Sequence, residues 1–68
     1  MPILVTANGD AVEAPDGATV ADLLEILGLA RRVMVVERNG KPIARAERST
    51  TQLSSGDRLE LVSAVAGG

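Results

Sequence analysis

The sequence contains no histidine, no cysteine and no aromatic residue. Each absence excludes something. Without histidine and cysteine the chain lacks the commonest general base, the thiol nucleophile and the soft metal ligands. The missing cysteines also exclude a disulfide framework and fit a reducing compartment. Without Phe, Tyr or Trp there are no large core anchors and no stacking platforms for single-stranded nucleic acid. Positive charge is scarce as well: Lys and Arg total 7 against 9 Asp and Glu, for a formal net charge of −2. That balance argues against nucleic acid and anionic membranes as partners. Met1-Pro2-Ile3 carries no basic leader segment, and no apolar run approaches membrane-spanning length. The expectation is a soluble, cytoplasmic chain, monomeric on its own, with no metal and no bound cofactor.

What is present is short and aliphatic. The chain has 68 residues, 46% of them hydrophobic, enough for one small domain that buries about 60% of its unfolded surface. Pro2 to Ala7 reads as a strand, with Ile3, Val5 and Thr6 β-branched and Pro2 where a missing donor is tolerated. Asn8-Gly9 is the preferred pair for a two-residue type I′ turn, and Asp10 to Ala14 returns as a short, charged edge strand. Pro15-Asp16-Gly17 is turn chemistry. Thr19 then stands as an N-cap with Asp22 in the position of a capping box. Val20, Leu23, Leu24 and Leu27 follow at helical spacing, and Gly28 is placed to end the helix in the left-handed conformation. So short a helix is marginal alone and must lie on a sheet, which makes its leucine stripe core rather than a partner surface.

Arg31-Arg32 reads as a solvated connection. Val33 to Val36 is the most apolar run and predicts a central strand covered at least partly on both faces. A second Asn-Gly pair, Asn39-Gly40, predicts another hairpin, whose return strand Lys41 to Ala44 is confined to an edge by Pro42. Ala44 to Leu53 has no clear period and supports at most one helical turn. Ser54-Ser55-Gly56-Asp57 marks a turn. Arg58 to Ser63 is the last strand, with Leu59 and Leu61 on one face and Arg58 and Glu60 on the other. Two hairpins separated by a helix bury their apolar faces only against that helix. The last strand belongs in the middle of the sheet, parallel to the first. The predicted fold is α+β: a β-grasp, ubiquitin-like domain over residues 1–63, with a mixed five-stranded sheet on one helix. A flexible tail over 64–68 ends in Gly67-Gly68.

A terminal Gly-Gly pair alone is weak evidence, since ordinary glycine usage produces one in roughly 200 chains. Its setting strengthens it. In a chain without nucleophilic His or Cys, the main-chain carboxylate of Gly68 is the strongest candidate for covalent chemistry. Glycines at 67 and 68, lacking Cβ, let the backbone enter a narrow channel.

The opening strand with Asn8-Gly9, the capped helix from Thr19 to Leu27, the Val-rich strand into Asn39-Gly40, Gly56-Asp57 and the tail Ala64-Val65-Ala66-Gly67-Gly68 together resemble the ThiS family, the sulfur carriers of thiamine biosynthesis. The resemblance covers essentially the whole chain. One departure lies between Arg45 and Thr50, where family members often carry an aromatic residue and this chain has none; Arg48 stands where the family leads one to look for it. The resemblance implies that the protein is a cosubstrate and not an enzyme. An E1-like, ThiF-like adenylyltransferase would use ATP to adenylate Gly68, and a sulfur donor system would convert the adenylate to a thiocarboxylate. A ThiG-like thiazole synthase would then take the sulfur. Val65, Ala66 and Gly67 would be read as the tail enters its partners. The related alternatives are a MoaD-like small subunit of molybdopterin synthase and a ubiquitin-like modifier; an interaction domain with an inert tail is a third. For docking, the expectation is the sheet face turned away from the helix, with Val62 or Met34 in it, unless the crossover covers that face.

Overall fold

The computed structural model describes residues 1–63. Its elements run β1 (Ile3–Ala7), β2 (Asp10–Ala14), α1 (Val20–Ile26), β3 (Met34–Arg38), β4 (Lys41–Pro42), one 3-10 turn (Arg45–Glu47) and β5 (Arg58–Ser63). The sheet order is β2-β1-β5-β3-β4. β5 lies parallel to β1 and antiparallel to β3. This is the mixed five-stranded β-grasp sheet that the sequence predicts, with the last strand at its centre. Among the described residues no helix is long and apolar enough to cross a membrane.

Both hairpins turn on their Asn-Gly pairs. Asn8 and Gly9 have φ of 51° and 85°, and Asn39 and Gly40 have 53° and 83°. Positive φ at both central residues is the type I′ requirement, and it matches the twist of the flanking strands. The turns fix the registers Ala7↔Asp10 and Arg38↔Lys41.

The helix is closed at both ends by local chemistry. Asp22 N–H donates to Thr19 Oγ1 at 3.2 Å, and Thr19 N–H donates to Asp22 Oδ2 at 2.9 Å, which completes the capping box. At the other end Gly28 has φ 73°, its N–H bonds Glu25 O, and Leu29 N–H bonds Leu24 O. That pair of bonds is the Schellman pattern. Thr19→Ala removes one side of the box and is expected to cost on the order of 1 kcal/mol, lowering the melting temperature by roughly 4–8 °C. A thermal melt that does not move would show that the cap contributes nothing.

Seven residues make a helix of about two turns, which is held by packing and not by propensity. Val20, Leu23 and Leu24 meet Val5 and Ala7 of β1, Val36 of β3 and Leu59 and Leu61 of β5 in one buried cluster. Leu53 closes the cluster from the crossover. The crossover also satisfies donors that the first turn of any helix leaves unpaired: Val20 N–H bonds Thr51 O and Ala21 N–H bonds Arg48 O. With no aromatic side chain to seat this segment, Arg48 fastens it by donating from Nη2 to Met34 O at 2.6 Å.

The structure differs from the expected outline in three places. β4 is limited to Lys41–Pro42, because Pro42 brings no N–H to the ladder; Ile43 N–H still reaches Val36 O at 2.8 Å before the chain turns away. β3 begins at Met34, one residue after the apolar run starts. That strand is covered on one face only: Val36 is buried, while Val33 and Val35 are about half exposed. The crossover packs beside the helix and leaves the other face of the sheet open.

Candidate functional site: the end of the central strand and the face beside it

β5 carries the chain to Ser63, and Ala64, Val65, Ala66, Gly67 and Gly68 follow in sequence. These last residues, including the expected reactive Gly68 and the expected recognition residues Val65, Ala66 and Gly67, lie outside the described residues. What the structure does place is the strand that presents them.

β5 is gripped along its length by groups far away in sequence. β3 pairs with it from Leu59 to Ser63, ending with Met34 opposite Ser63. β1 pairs only as far as Leu59, and beyond that point the side chain of Asn8 takes over. Asn8 Nδ2 donates to Leu61 O at 2.9 Å, and Leu61 N–H donates to Asn8 Oδ1 at 2.8 Å. A carboxamide presents its C=O and an N–H side by side on one edge, as a strand residue presents its own N–H and C=O to a neighbouring strand. Asn8 therefore extends the ladder where its own strand has turned away. Asn39 grips the start of β5 in a similar way: its N–H bonds Arg58 O at 2.7 Å and its Oδ1 accepts from Arg58 N–H at 2.9 Å.

Asp57 ties these parts together. Its carboxylate, buried at 6% exposure, accepts from Arg38 Nε at 2.8 Å, Asn39 Nδ2 at 3.0 Å and Ser54 N–H at 2.8 Å. Burial by itself would raise the carboxyl's pKa. The hydrogen bonds from Ser54, Asn39 and Arg38, with the Arg38 charge, outweigh it and hold the group below its ordinary value of 3.8. The sequence shows Asp57 only as the last residue of a turn.

The sheet face turned away from α1 is open. Val62 is 58% exposed, and its register partner Val35 is 50% exposed. Val33, two residues before Val35, is 54% exposed. The expected docking residue Val62 therefore lies on this face. Met34 does not: it alternates inward and packs against the core, because one residue along a strand reverses the side chain's face. Val33 and Val35, not Met34, stand exposed on the same face as Val62. The run Val33 to Val36 is apolar at every position, so its period is silent about the face, and the register with β5 decides it. Next along the same face, Glu37 stands opposite Glu60, a like-charge pair that costs a little stability. On the other side, the exposed Arg31 and Arg32 precede Val33. The apolar patch thus adjoins the Glu37–Glu60 pair along the same face, beside the end of β5. Among the described residues, no group of three or more acidic side chains is placed to hold a metal ion.

The model of the ThiS family matches residues 3–68 of the chain. Among solved structures, the chain is similar to a thiamine biosynthesis protein, ThiS, from Geobacter metallireducens. The two share 29% identity and superpose with a TM-score of 0.80, over 97% of this chain and 100% of the other. No curated protein matches the chain.

Proposed function

The chain belongs to the ThiS family, and from this we propose that it is a sulfur carrier for thiazole formation in thiamine biosynthesis, with the Gly68 carboxylate as its reactive group. The observation that carries the reading is the extent of the family match, which runs through the β-grasp body to Gly68. In this role the protein is a cosubstrate and its partners supply the catalysis. A free carboxylate is a poor electrophile. A ThiF-like adenylyltransferase joins it to the α-phosphorus of ATP with loss of pyrophosphate, which makes its carbon open to attack. Sulfur from a donor system then displaces AMP and leaves a thiocarboxylate, which a ThiG-like thiazole synthase consumes. The residues of this chain bind and orient: the sheet holds β5 fixed, and the Val33–Val35–Val62 face gives the partners a surface to dock on.

Intact mass after incubation with ATP, the activating enzyme and a sulfur donor tests the reading. Replacement of one oxygen by sulfur at Gly68 supports it. High-mass adducts on lysines would indicate a protein modifier, and an unchanged mass would leave the tail without this chemistry. The docking surface has its own test. Val62→Asp places a charge on a half-exposed position, so the fold is expected to persist while affinity for the activating enzyme falls by about tenfold or more. Circular dichroism and a binding titration read the two effects. A folded variant with unchanged affinity would remove this face from the interaction.

A further inference from the structure

Both hairpin turns of this protein are Asn-Gly sequences, and both asparagines hold β5 with their carboxamides. The same dipeptide is chemically labile. Gly has no Cβ to shield its backbone nitrogen, which attacks the asparagine Cγ. A Cγ–N bond forms, the Cγ–Nδ2 bond breaks and ammonia leaves with the amide proton. Water then opens the resulting five-membered imide at either carbonyl, giving aspartate or its isomer with the chain running through the side-chain carboxyl.

The attack needs the carboxamide to swing toward its own Gly nitrogen, and here both carboxamides are engaged elsewhere. Asn8 is held at each end by Leu61. Asn39 is held at Oδ1 by Arg58 N–H and at Nδ2 by Asp57 Oδ1. The two differ in what conversion would leave behind. At Asn8 a new carboxylate would face one peptide carbonyl and still accept from Leu61 N–H. At Asn39 it would stand against the carboxylate of Asp57, across a contact that is now 3.0 Å, with a donor replaced by an acceptor. Asn39 is exposed, and a surface hollow lined by Gly9, Asn39, Gly40, Arg58 and Glu60 admits water to this turn.

We propose that Asn39-Gly40 is a deamidation site kept closed by the bonds of Asn39 to Asp57 and Arg58, and that its conversion destroys the contact that protects it. Conversion is irreversible without repair. Once Asn39 is an aspartate, Asp57 loses a donor and gains a like charge, and the turn from Ser54 to Asp57 loosens at the start of β5.

The full chain is incubated at mildly alkaline pH, native and in guanidinium, and conversion at Asn8 and Asn39 is followed by peptide mapping. In denaturant the two sites are expected to convert at comparable rates. In the native protein Asn39 is expected to convert at least about tenfold more slowly, because conversion must wait for local opening. Asp57→Asn isolates the contact. Two donors meet Oδ2, so the new amide keeps its oxygen there and turns its NH2 toward Asn39 Nδ2. That variant is expected to speed Asn39 relative to Asn8 in the same molecules, with Asn8, held by Leu61 and not by Asp57, serving as the internal reference. Equal native and unfolded rates at Asn39 would overturn the proposal. So would an unchanged ratio of Asn39 to Asn8 conversion in a folded Asp57→Asn protein.

Discussion

Deleting Gly68, or adding one residue after it, is expected to leave the fold intact and abolish adenylation. The stability half follows from where the core lies. Among the described residues its buried members run from Val5 to Leu61, and neither Gly67 nor Gly68 has a side chain to contribute. The activity half follows from geometry. Activation needs one carboxylate placed for in-line attack on a nucleotide phosphate, and one residue of extended chain displaces it by about 3.3 Å. Misplacement by about 1 Å already lowers rates roughly a hundredfold. Gly68→Ala keeps the length but adds a Cβ, and a partial loss is expected. Circular dichroism and the ATP-dependent mass shift read fold and activation on each variant. A shortened, folded protein that becomes a thiocarboxylate at the normal rate would show that the reactive group lies elsewhere.

Asp57→Ala is expected to cost about 3 kcal/mol, a large part of the stability of a domain this size. The loss exceeds that of an ordinary hydrogen bond because one buried carboxylate satisfies three donors at once, on Arg38, Asn39 and Ser54 N–H, and one of the three bonds is an ion pair. A fall in melting temperature of roughly 10–20 °C corresponds to it. The same group sets an acid limb. Its folded pKa lies below the ordinary 3.8, so the unfolded chain takes up the proton first as pH falls. The carboxylate's contribution is therefore complete above about pH 4 and is lost progressively as pH drops through the folded value. Urea unfolding from neutral pH down to pH 3 is expected to show this decline in the wild type and a shallower one in Asp57→Asn. Parallel declines would place the acid sensitivity in other carboxylates.

The two predictions separate what the chain is for from what holds it together. Gly68 carries the proposed sulfur chemistry, while Asp57 holds the turn that starts β5.

Local chemistry was legible in the sequence. Asn8-Gly9 and Asn39-Gly40 require positive φ, Thr19 with Asp22 closes a helix, and Gly28 ends it; each depends on residues within a few positions of one another. The alternation of Leu59 and Leu61 with Arg58 and Glu60 was also enough to place the last strand at the centre, since burial of one face must be satisfied somewhere. With the tail, those features were sufficient to suggest the family. Tertiary structure decided what depends on distant partners. Asn8 reaches Leu61 across 53 positions, so no local pattern shows that a turn residue also completes a ladder. Asp57 resembles any polar turn residue until Arg38, Asn39 and Ser54 converge on it. Met34 and Val35 are both apolar members of one run, and only the register with β5 settles which faces the core and which faces solvent. Propensity and periodicity act between neighbours in the chain, whereas the partner of a turn carboxamide or a buried carboxylate is chosen by the packing of the whole sheet.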